Sequence, residues 1–175
     1  MTDSSFRATT LLLAIPMLSC SRLDECVVTA ETDQMKAELV VAAARFEQPR
    51  LKLRLTSTKQ PGVFWETMAL EQEQTVELGV CFAELVWSPE QAVVGVVGKL
   101  CTNRTFASAY DAVARKHVPW ASVERFTMLS IGQRYGLRGS VREWLDQTQP
   151  VELGVLQRKM GRRCSPDSKY DVLRR

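Results

Sequence analysis

Apolar and polar residues alternate cleanly at one place in the chain, where Leu51, Leu53 and Leu55 are interleaved with Lys52, Arg54 and Thr56. A period of two gives a strand one buried and one wet face, the pattern of an antiparallel sheet. Residues 26–31 (CVVTAE) and the run begun by Val63-Phe64-Trp65 after the turn Gln60-Pro61-Gly62 also read as strands. Residues 36–46 (KAELVVAAARF) set β-branched valines beside alanines and are ambiguous between strand and helix. Residues 75–87 and 92–101 are apolar on both sides, which places them centrally in the sheet. A further strand, 105–110, follows a polar turn at Thr102-Asn103-Arg104.

Beyond Tyr110 the period changes. Trp120, Val123, Phe126, Thr127, Ile131 and Tyr135 recur at helical steps after Pro119, and Gly136 suits a left-handed cap. Ser140-Val141-Arg142-Glu143 is a capping box that opens a second short helix. Pro150 closes it, and 151–156 reads as a last strand. The aromatic set Trp120, Phe126, Tyr135 and Trp144 reads as core. The expected fold is α+β: an antiparallel, blade-like β-meander, then one or two C-terminal helices and a short final strand.

Charge divides the chain unevenly. Residues 158–175 hold seven basic side chains against two acidic ones, while the rest carries 16 basic and 18 acidic. The basic character therefore belongs to a tail, and Arg158, Lys159, Arg162 and Arg163 are its candidate contacts to an anionic surface. Only Tyr170 interrupts these charges, so the tail lacks a stacking platform for bases. A solvated, frayed terminus is the simpler reading of the same charges.

The N-terminus reads as an address. A short lead with Arg7 precedes an uncharged run, residues 8–19, too short for the roughly 20 residues that span a bilayer. The run ends in Met17-Leu18-Ser19-Cys20. This stretch resembles a bacterial lipobox, although Met17 and Leu18 stand where Leu and Ala or Ser are usual. The resemblance implies a signal peptide over 1–19, a diacylglycerol thioether on Cys20, and one mature domain over 20–157 followed by the tail. A second, local resemblance lies in Leu85-Val86-Trp87-Ser88-Pro89-Glu90, continued by Ala92-Val93-Val94-Gly95-Val96. It is similar to the WSPDG hairpin of TolB-type propeller blades, with Glu90 and Gln91 replacing Asp and Gly. Occurring once in 175 residues, it implies a β-hairpin and no propeller.

With Cys20 set aside, Cys26, Cys81, Cys101 and Cys164 remain, an even number suited to an oxidising compartment. Four cysteines allow three pairings, and four buried free thiols are the alternative. A reversal centred on Gln91 sets Cys81 opposite Cys101, leaving Cys26 and Cys164 to join the ends of the domain. A centre half a step earlier puts Cys81 and Cys101 on opposite faces.

The single histidine, His117, excludes sites that need two. Gly95-Val96-Val97-Gly98-Lys99 lacks the spacing of a phosphate loop and reads as a strand; Glu71 and Glu73 read as a polar connector. No catalytic residue, metal site or cofactor is expected. The resulting expectation is an exported, lipid-anchored module of the bacterial cell envelope, facing the periplasm, that binds or scaffolds. Its partners are the membrane and an envelope protein or anionic surface. The alternatives are an exported enzyme pairing a free cysteine with His117, and a cytosolic protein whose tail binds nucleic acid.

Overall fold

The computed structural model describes residues 23–43, 48–60, 64–70, 76, 79–137 and 139–159. The expected signal segment with Cys20, the paired Glu71 and Glu73, and Arg162, Arg163 and Cys164 lie outside them. The described elements are β1 (Leu23–Glu31), β2 (Met35–Ala43), β3 (Arg50–Ser57), β4 (Phe64–Met68), β5 (Val80–Trp87), β6 (Val93–Leu100), β7 (Thr105–Asp111), β8 (Lys116–Val118), α1 (Ala121–Tyr135), α2 (Val141–Gln147) and α3 (Pro150–Lys159).

Strands precede helices in an α+β fold, as the periodicities indicate. They form two antiparallel four-stranded sheets, β1-β2-β3-β4 and β5-β6-β7-β8. The sheets face each other across a core in which Leu39, Leu51, Leu53 and Leu55 of the first meet Leu85, Val94, Val96 and Tyr110 of the second. The helices cover the other face of the second sheet, where Phe82, Val86 and Val97 pack on Ile131, Leu145 and Leu153. The layers are thus sheet, sheet and helices.

This layering accounts for the two kinds of strand. Leu51, Leu53 and Leu55 are buried and their alternating neighbours are not, because the first sheet has one face on the core. β5 and β6 are apolar on both faces, with Glu84 and Lys99 their lone charges, because their sheet is the middle layer, covered on both sides. Their expected place at the centre of a sheet is corrected in part: β5 is an edge strand of a central layer.

Residues 36–43 of the ambiguous run fall in β2, and 44–46 lie outside the described residues. Its inward residues Ala37 and Leu39 are fully buried against the facing sheet, and tertiary packing outweighs the helix propensity of the alanines. The C-terminal expectation is also corrected. Residues 151–156 belong to α3, and Pro150 opens that helix instead of closing α2. Pro150 in the first turn loses no hydrogen bond, and Glu152 accepts one there from the Gln149 backbone N–H at 3.3 Å. The apolar residues of this run share no buried face, since Leu153 is buried while Val151 is 74% and Val155 38% exposed.

Helix α1 ends as its glycine indicates. Gly136 adopts φ 70° and its N–H reaches the Gly132 carbonyl. In α2 the Ser140 hydroxyl accepts from the Glu143 backbone N–H at 3.1 Å. All four aromatics of the helical region pack at the second core, with Phe82 edge-on to Tyr135 and Trp144.

Gly98 marks the tightest approach within the middle sheet. A Cβ there would strike the Phe82 carbonyl oxygen and the Phe106 ring. Gly98→Ala is expected to lower stability by about 1–3 kcal/mol, the range for overpacking. A shift of the urea midpoint at unchanged m-value measures it.

Candidate functional site

The β5–β6 hairpin carries the cysteine chemistry. Its ladder runs Phe82↔Lys99 to Trp87↔Val94, so the reversal centres between Glu90 and Gln91, half a step before the expected position. Uninterrupted, that register would separate Cys81 from Cys101. A bulge between Val80 and Phe82 inserts Cys81 as the extra residue. The two sulfurs are joined at 2.01 Å with the Cα atoms 5.0 Å apart. The turn takes a left-handed residue without a glycine: Gln91 has φ 57°, and the Ser88 hydroxyl accepts from the Val93 N–H at 3.2 Å. Cys26 is also disulfide-bonded, its partner lying outside the described residues.

The middle sheet holds two buried charges on its helix-facing side. Glu84 is 1% exposed; it accepts from Arg134 Nη1 at 2.5 Å and from the Tyr135 hydroxyl. Lys99 is 0% exposed and donates to the carbonyl oxygens of Leu145 (2.5 Å), Asp146 (3.3 Å) and Thr148 (2.9 Å). Those carbonyls end α2, where unpaired acceptors and the helix dipole both favour a cation. The lysine of the run Gly95–Lys99 is therefore a helix cap delivered from a strand. Neither charge was singled out from the sequence, yet each is the lone charge in an apolar strand, and that was the available signal.

The outward face of the first sheet carries a second network. Glu66 stands directly opposite Arg54 in the β3–β4 ladder. It accepts from Arg54 Nε at 2.8 Å and Nη2 at 2.5 Å, and its other oxygen lies 3.5 Å from Lys52 Nζ. Burial pushes its carboxyl upward, but the Arg54 hydrogen bond and charge and the Lys52 charge outweigh that and hold it below its ordinary value.

His117 sits on β8, a strand the sequence did not announce. Its ring meets Tyr110 edge-on at 5.3 Å, and Arg115, two residues earlier, lies 4.6 Å over the Trp65 ring of β4. The alternative of a Cys–His pair finds Cys26, Cys81 and Cys101 already oxidised. Arg158 and Lys159 fall at the end of α3, so the basic segment begins as helix. Among the described residues no group of three or more His, Cys, Asp or Glu is placed to hold a metal ion. A groove of about 600 Å³ runs along α1, lined by Arg125, Met128, Leu129 and Leu137.

Comparison with known proteins finds no matching family, no similar curated protein and no matching solved structure.

Two outcomes are expected. Lys99→Met leaves three carbonyls without their donor and should lower stability by about 1–3 kcal/mol, with α2 amides losing hydrogen-exchange protection first. Glu66, with its folded value depressed, contributes stability above its ordinary value of 4.5 and loses it as pH falls below that. Thermal melts at neutral and acid pH should therefore diverge less for Glu66→Gln than for the parent protein.

Proposed function

We propose that this chain is an exported bacterial envelope lipoprotein, tethered through Cys20 on the periplasmic side of a membrane, where it acts as a non-catalytic binding or scaffolding module. The observation that carries the reading is the Cys81–Cys101 disulfide. Cytosolic thiols are kept reduced, so a structural disulfide argues for an oxidising compartment. The bonded state of Cys26 points the same way. No helix among the described residues is long and apolar enough to cross a membrane, and in this reading attachment comes from the acyl chains. The basic segment beginning at Arg158 adds a further contact, with anionic headgroups or an acidic envelope partner.

The tether constrains the disulfides. A thioether on Cys20 removes its thiol, so the only remaining partner for Cys26 is Cys164. Cells fed a clickable fatty acid should label the parent protein and leave Cys20→Ser unlabelled. Non-reducing peptide mapping should recover Cys81–Cys101 and Cys26–Cys164. An unlabelled protein of full-length mass, or a Cys20–Cys26 peptide, would overturn the proposal.

A further inference from the structure

Four buried side-chain polar atoms among the described residues lack a hydrogen-bond partner: Trp65 Nε1, Gln91 Oε1, His117 Nδ1 and Thr127 Oγ1. Such atoms are scarce in folded proteins, and each asks for a partner from outside the chain or a reason to lack one. Thr127 has a reason: α1 is pressed so closely on β6 that its hydroxyl lies 2.9 Å from where a Cβ on Gly95 would stand. Gln91 sits in the strained β5–β6 turn. The other two nitrogens belong to the same margin of the sandwich. Trp65 lies on β4 and His117 on β8, the outer strands of the two facing sheets, and Arg115 spans the gap by stacking on Trp65.

We infer that this rim of the sandwich is a binding site for a small oxyanion, a carboxylate or phosphate group. The indole N–H can only donate, so what Trp65 lacks is an acceptor. Imidazole Nδ1 serves as a second donor in the tautomer or charge state that carries its proton there. Arg115 adds a permanently charged fork with the geometry that carboxylates and phosphates accept. It is exposed and held at φ 54°, a left-handed conformation that a long side chain rarely adopts. The turn is fixed by Asp111, whose Oδ1 accepts from the Val113 N–H at 2.9 Å and the Ala114 N–H at 2.7 Å. That carboxylate oxygen is thereby engaged, while Lys116 adds a further cation to the hairpin. Strain at a positioned cation beside unpaired donors is the arrangement expected where a ligand completes the structure.

The site gives the proposed binding module a ligand class and rests on that reading for its setting alone. The test uses the mature chain in solution without lipid, so its result and the acylation result are independent. In a 1H–15N spectrum the four tryptophans give four indole signals, with Trp65 assigned by its loss in Trp65→Phe. Trp87 is the internal control, because its Nε1–H donates to the Ala30 carbonyl at 3.1 Å. Inorganic phosphate and acetate are titrated separately at constant ionic strength, with chloride as the reference salt. The Trp65 signal should move saturably with one or both while Trp87 stays still, and Arg115→Gln should weaken that response by about tenfold or more, as loss of a charge-assisted contact does. His117→Phe should weaken it as well. A Trp65 signal unmoved by both anions, or moved equally in Arg115→Gln, or moved in parallel with Trp87, overturns the inference.

Discussion

A sheet with no wet face sets the terms for the rest of this molecule. The β5–β8 sheet is covered by leucines and valines of the first sheet on one side and by three helices on the other. A charge buried on β5 or β6 must find its partner inside the protein, because an unpaired buried charge costs several kcal/mol and a lost hydrogen bond a few. Glu84 meets this demand through Arg134 and Tyr135 at the end of α1, and Lys99 through the end of α2. Each buried charge thus reads the position of one helix. Apolar contacts alone would hold the helical layer with less directional preference, since burial of area is non-directional.

The two sheets are also fastened at both margins by aromatic side chains. On one side the Trp87 indole of β5 donates to the Ala30 carbonyl of β1; on the other Arg115 of the β7–β8 turn stacks on Trp65 of β4. Between them the Ser108 hydroxyl reaches the Ala69 carbonyl, tying the segment after β4 to the opposite sheet. Directional contacts therefore lie around the apolar core and fix how the layers align. The disulfide adds a covalent constraint at the one irregular point of the β5–β6 ladder.

What the sequence made legible follows from where its signals are local. The alternation in β3, the Gly136 cap, the Ser140 capping box and the Ser88–Gln91 turn each depend on a few neighbouring residues, and each is found in the structure. Layering is not local. Periodicity cannot tell a strand central in a sheet from an edge strand in a middle layer, because both are buried on two faces. Nor could it announce β8, three residues that are strand by virtue of pairing with β7. The run 151–156 shows the converse failure, an apolar run read as a strand that is a helix burying Leu153 and leaving Val151 and Val155 exposed. Register was recoverable only to half a residue, since one bulge suffices to bring Cys81 to Cys101. The rim around His117 was illegible because its members come from β4, β7 and β8 and meet only when the sheets face each other.

One contact at the margin of the middle sheet bears on the fate of the chain in a crowded compartment. The Gln157 side-chain amide accepts from the Ala83 N–H at 2.9 Å and donates to the Ala83 carbonyl at 3.3 Å, taking the two positions a neighbouring strand would take. A helix thereby impersonates a strand at the edge of the sheet. Open, apolar edges recruit other chains into continuous sheets, and natural proteins cover or charge them to prevent it. Here Gln157, near the end of α3, covers the Ala83 position of that edge, so proteolytic trimming upstream of it would uncover backbone groups on which another chain could pair.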